Sequence, residues 1–98
     1  MSLREHLSKH RPDDPMYTFV VMTWELGNIC RSYVRANHKG SSEAKAYLQE
    51  GRMALADLVT QCRLLAEEMD LDWDGLVTDG EEAFLERMKD IDNWVEGR

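Results

Sequence analysis

Ninety-eight residues with a hydrophobic fraction of 43% and a charged fraction of 32% describe one ordinary globular domain rather than a disordered chain. Twelve Lys and Arg against nineteen Asp and Glu leave a net charge of −7. That balance argues against DNA or RNA duplexes as partners, because holding a phosphate backbone takes clustered cations. No apolar run reaches the ~18 residues of a membrane span. The start, Met1-Ser-Leu-Arg-Glu-His6, carries no hydrophobic targeting core, so no membrane partner and a cytoplasmic location are expected.

Taken in order, residues 1–14 read as a short helix and linker, and residues 15–95 as the core helices of a single domain spanning 1–98. Ser2 with Glu5 three residues on has the form of a capping box, which opens a helix from Leu3 to about Lys9. Arg11-Pro-Asp-Asp-Pro15 then breaks the chain. Asp14 is a good N-cap and Pro15 a good first helical residue, since the missing N–H costs nothing there.

The first long helix is expected from Pro15 to about Ala36, with Phe19, Met22, Leu26, Ile29 or Cys30, and Tyr33 as its buried stripe. Gly40 is available to close it in a left-handed conformation. Ser41 or Ser42 is expected to open a second long helix reaching Met69. Its stripe is Leu48, Gly51, Leu55, Leu58 or Val59, Cys62, Ala66 and Met69, with Gly51 permitting close helix–helix approach. Cys30 and Cys62 read as two buried thiols of a reducing interior.

Asp70 to Gly75 reads as a turn-rich connector, and Thr78-Asp-Gly-Glu81 as the capping box of a last helix ending near Val95. Strand signals are absent. The expected fold is therefore all-α: two long antiparallel helices with shorter N- and C-terminal helices. Such a set does not easily close a core alone. Val20, Trp24 and Val34, apolar but outside the main stripe, add a further buried contact, so a homo-oligomer is expected.

Two segments carry a family resemblance. Trp24-Glu-Leu-Gly-Asn-Ile-Cys30 resembles the Glu-x-Gly-Glu-Leu segment of the MazG-like nucleoside triphosphate pyrophosphohydrolases. Ala54-Leu-Ala-Asp-Leu-Val59, continuing through Leu64-Leu-Ala-Glu-Glu-Met-Asp-Leu-Asp72, is similar to that family's Glu-Leu-Gly-Asp-Val helix and the turn after it. The likeness spans roughly residues 17–76. It implies an all-alpha NTP pyrophosphatase-like bundle, completed by oligomerisation as a dimer or tetramer.

It also implies a chemistry. Glu-x-x-Glu and Glu-x-x-Asp pairs on facing helices offer carboxylates to one cavity, because residues three apart share a face. Mg²⁺ (Mn²⁺ as substitute) bridges them to a nucleoside triphosphate, and water attacks to release pyrophosphate and a nucleoside monophosphate. In this sequence Glu25 and Asp57 match the family's ligands, whereas Asn28 and Ala54 stand where two carboxylates would be. Asn28 still offers a neutral carbonyl oxygen, and Glu50 is a further acidic candidate two turns before Asp57. Arg31, Arg35 and Lys39, with Arg87 and Lys89 on the last helix, are the candidate phosphate-binding cations.

Two functions follow as expectations: a Mg²⁺-dependent pyrophosphohydrolase with a reduced metal site, or a non-catalytic helical oligomer binding a nucleotide or a protein. Trp24, Trp73 and Trp94 read as packing or interface residues. His6, His10 and His38 have no zinc-ligand spacing.

Overall fold

The computed structural model describes residues 2–38 and 42–97. Four helices follow one another: α1 (Leu3–Leu7), α2 (Pro15–Ala36), α3 (Ala44–Glu68) and α4 (Trp73–Glu96), with no strand among the described residues. Ser2 caps α1 by accepting the Glu5 N–H at 3.1 Å. The helix stops at Leu7, short of the expected Lys9, and residues 8–10 form a turn. Asp14 caps α2 as expected, its carboxylate accepting the Met16 N–H at 3.0 Å with Pro15 next in line.

The start of α3 departs from expectation. Its N-cap is Glu43, which makes no side-chain cap bond, while Ser42 lies in the preceding turn. Lys39, Gly40 and Ser41, each given a part above, lie outside the described residues. Its end is well made. Asp70 takes a left-handed conformation (φ 56°). The Leu71 N–H reaches the Ala66 carbonyl at 2.8 Å, and the Asp70 N–H reaches Glu67 at 3.1 Å. This double closure satisfies two carbonyls that the helix end would leave open.

The expected connector from Asp70 to Gly75 is cut short, because α4 begins at Trp73 rather than at Thr78. Asp72 accepts the Gly75 N–H at 2.8 Å and supplies the cap six residues earlier than the Thr78 box would. Once the helix is nucleated there, Thr78-Asp-Gly-Glu81 simply continues it, and Gly75 and Gly80 each cost roughly 1 kcal/mol of propensity.

α2 and α3 form an antiparallel hairpin whose seam is the expected one only in part: Met22, Ile29, Gly51, Leu58, Cys62 and Ala66 are buried or half-buried as expected. On α2 the side facing α3 carries Thr18, Ser32, Val21, Met22, Glu25, Asn28 and Ile29, buried or half-buried, while Phe19, Leu26, Cys30 and Tyr33 are exposed. On α3 the buried residues are Ala54, Leu64 and Ala66, whereas Leu48, Leu55, Val59 and Met69 are exposed. The seam therefore mixes small and polar side chains (Thr18, Ser32, Ala54, Ala66) with apolar ones (Val21, Met22, Ile29, Leu64). Gly51 meets Ser32 there: a Cβ added at Gly51 would lie 3.4 Å from the Ser32 Cβ. Small residues let the two backbones come close, while Phe19, Leu26, Leu48, Leu55 and Val59 turn outward. The two thiols are not a buried pair, since Cys30 is exposed and Cys62 half-buried.

α4 leaves this hairpin and touches only α3 among the helices. The result is extended. The radius of gyration is 17.9 Å, against about 12.6 Å for a compact domain of this length. The accessible surface is 7830 Å², against about 5,800 Å² for a compact monomer of this mass.

Candidate functional site

The polar seam of the hairpin opens into a groove of about 410 Å³. α2 contributes Glu25, Asn28, Arg31 and Ser32 to its wall, each a turn or less from the next, as a single helix face requires. α3 contributes Gln49, Glu50, Met53, Ala54 and Asp57. The four residues singled out as metal ligands, Glu25, Asn28, Glu50 and Asp57, thus line one groove together with Arg31. Arg35 does not join them: its guanidinium lies 5.8 Å from the Tyr47 ring centre instead. Lys39 lies outside the described residues.

Two features set the chemistry of this groove. Arg31 donates from Nη2 to Asn28 Oδ1 at 2.9 Å, so the carbonyl oxygen that Asn28 retains is engaged by a cation of its own helix. Ala54 is buried in the wall and offers only a methyl group. Three carboxylates line the groove, yet among the described residues no three His, Cys, Asp or Glu side chains form a group able to hold a metal ion. The groove therefore does not suit a metal held by protein ligands alone. Mg²⁺ that arrives with phosphates is less demanding, because that ion keeps several waters and needs only one or two carboxylates from a protein.

A larger open depression, about 650 Å³, lies where the N-terminal segment crosses the end of α3. The cation in its lining, Arg4, is already engaged. Arg4 pairs with Asp13 at 2.8 Å, and its backbone N–H donates to Glu67 Oε2 at 3.0 Å. The hydrogen bond from Arg4 holds the Asp13 carboxyl below its usual value and, reciprocally, raises the guanidinium above its own. Beside this pair, Thr18 is fully buried and donates to Glu68, whose side chain is 2% exposed. Arg11 in turn donates to Thr18 Oγ1 at 2.8 Å and lies 3.9 Å from Glu68. This cluster straps residues 2–14 to the hairpin. Its signals in the sequence are slight, a threonine on the face of Glu25 and an arginine just before Pro12.

No protein-family model, curated protein or solved structure matches this chain.

Proposed function

We propose that the α2–α3 groove receives a magnesium-bound nucleoside triphosphate and that its reaction is the one the MazG-like resemblance implies, cleavage to a nucleoside monophosphate and pyrophosphate. The observation that carries this reading is the convergence of Glu25, Asn28, Arg31, Glu50 and Asp57 on one groove. Glu25 and Asp57 would hold the ion from opposite helices, with Glu50 further along α3. When bound, Mg²⁺ would supply charge stabilisation for the phosphates and polarise the phosphoryl oxygen. Arg31, oriented by a neutral amide rather than neutralised by a carboxylate, keeps its charge for a phosphate oxygen.

A second reading, a non-catalytic helical oligomer that binds a nucleotide or a protein, is favoured by a different observation. The two substitutions at Asn28 and Ala54 remove the charge that would concentrate divalent ions, and Asn28 Oδ1 is already engaged. In both readings metal binding depends on phosphate.

Calorimetric titration tests the shared part. Mg²⁺ alone at millimolar concentration gives no saturable heat, whereas a Mg²⁺–triphosphate complex binds, and Glu25→Gln weakens it at least tenfold. Tight binding of metal without nucleotide, or nucleotide binding indifferent to Glu25→Gln and Asp57→Asn, overturns the reading.

A further inference from the structure

The seam of the hairpin repeats every two turns, because seven residues return a helix face to within about 20°. Its two ends are fixed by contacts. Thr18 on α2 bonds to Glu68 on α3, and at the other end Ser32 meets Gly51, one turn before Ala54. Glu25 lies seven residues after Thr18 and seven before Ser32. Gln61 lies seven residues before Glu68 and seven after Ala54. The antiparallel register therefore sets Glu25 level with Gln61 in the middle layer of the seam. Asp57 lies one turn from Gln61 on α3, at the i, i+4 spacing of neighbours on one face.

This layer contains an unmet acceptor. Gln61 is half-buried, but its Oε1 is shut off from solvent and has no hydrogen-bond partner among the described residues. A buried carbonyl oxygen without a donor is destabilising, so a side chain of the same shape without the oxygen would fold more readily. The cations along the seam serve other groups. Arg31 donates to Asn28, and Arg11 to Thr18 beside Glu68. The polar neighbours of Gln61 in its own layer, Glu25 and Asp57, only accept when ionised.

An acceptor placed among acceptors calls for a cation. Carboxylate and amide oxygens are the hard donors that divalent ions take. Glu25, Asp57 and Gln61 present three such oxygens from two helices, where no three acids do so. From the orphaned oxygen and this register we infer that Gln61 Oε1 is a further protein ligand, beside Glu25 and Asp57, for the divalent ion of a bound triphosphate. The inference rests on the reading of the groove given above and adds to it a residue that the family resemblance does not supply. It draws the ion along α3 toward the middle of the seam, away from the Ala54 methyl group and from the amide that Arg31 engages.

Two variants at position 61 test this by calorimetric titration and thermal melts. Gln61→Glu, titrated with Mn²⁺ alone, binds it at least tenfold more tightly than the natural chain, and adding Asp57→Asn removes the gain. Gln61→Met keeps the side-chain length and removes the oxygen. It melts no lower than the natural chain without metal, yet binds Mn²⁺–nucleoside triphosphate at least fivefold more weakly. A packing role predicts the reverse, a lower melting point with binding intact. Mn²⁺ binding by Gln61→Glu no tighter than by the natural chain overturns the inference. So does a Gln61→Met protein that binds the Mn²⁺–triphosphate complex as the natural chain does, which would leave Oε1 to a buried water. If the natural chain binds no nucleoside triphosphate, the groove reading fails instead, and the Mn²⁺ titration of Gln61→Glu alone decides whether position 61 faces the ion.

Discussion

Arg31 donates a 2.9 Å hydrogen bond to Asn28 Oδ1, one turn away on α2, inside a groove that also presents Glu25 and Asp57. The pair couples a position without a carboxylate to a cation of the same helix. A carboxylate at position 28 would form an ion pair with the same guanidinium, whereas the amide orients it and leaves its charge in place. Placing carboxylates at both positions, Asn28→Glu with Ala54→Glu, should therefore create a metal site, which no three such side chains form among the described residues. We expect Mn²⁺ to bind the double variant at least tenfold more tightly. Because Ala54 is buried, the variant should melt lower without metal and recover with it, as binding linkage requires. Thermal melts with and without millimolar Mn²⁺ check both statements.

The closest approach of the hairpin gives a second expectation. With 3.4 Å to the Ser32 Cβ, a methyl group at Gly51 just fits. Gly51→Ala should leave stability unchanged or raise it by up to about 1 kcal/mol through helix propensity. Gly51→Leu has no such space and should cost about 1–3 kcal/mol through overpacking. Urea denaturation of the two variants separates them, and equal effects would show that α2 and α3 do not cross closely there.

This crossing also shows how much was legible. Helix existence, the start of α2 at Asp14-Pro15 and the part played by Gly51 were readable from caps, periodicity and a glycine placed on a stripe. The side of α2 that packs was legible only in part: Met22 and Ile29 lie on it. Periodicity finds the apolar face and assigns it to the core of its own chain, but here Phe19, Leu26 and Tyr33 face outward while Thr18 and Ser32 are buried. Close packing of small residues leaves no hydrophobic signal, and a stripe meant for another surface reads the same as one meant for the hairpin. The start of α4 was missed for a local reason: two caps compete, and Asp72 precedes Thr78. The candidate ligands fared differently. Their i,i+3 spacing fixed a shared face, and the hairpin brings those faces to one groove, whereas the bond that engages Asn28 depends on the rotamer of Arg31.

The N-terminal strap predicts both a loss of stability and an acid dependence. Arg11→Ala leaves the almost fully buried Glu68 carboxylate with Thr18 alone, which should cost about 2–3 kcal/mol. Asp13 acts at lower pH. Its carboxyl is held below the ordinary value of 3.8 by Arg4, so its contribution is complete above that value and disappears as pH falls through the lower folded value. Asp13→Asn should therefore be less stable than the natural chain near neutrality and should lose that part of the acid decline. Melting curves from about pH 7 down to about pH 3 measure the difference, which should shrink toward zero at the acid end.

Asp70 occupies a left-handed position at the end of α3, where a Cβ crowds the backbone and glycine does not. Its contact with Arg4 is long, 3.8 Å, and highly exposed, so it offsets little. Asp70→Gly should raise stability by about 0.5–1 kcal/mol. A decrease in chemical denaturation would mean that the carboxylate itself holds the turn.

The central claim is that the groove handles a magnesium-bound triphosphate, and the most direct measurement is pyrophosphate release from a panel of nucleoside triphosphates with Mg²⁺. The account predicts release for at least one member, reduced at least a hundredfold by Glu25→Gln and by Asp57→Asn, and reduced at least tenfold by Arg31→Gln. Release that survives both acidic substitutions, or no release from any triphosphate that the groove binds, would contradict it.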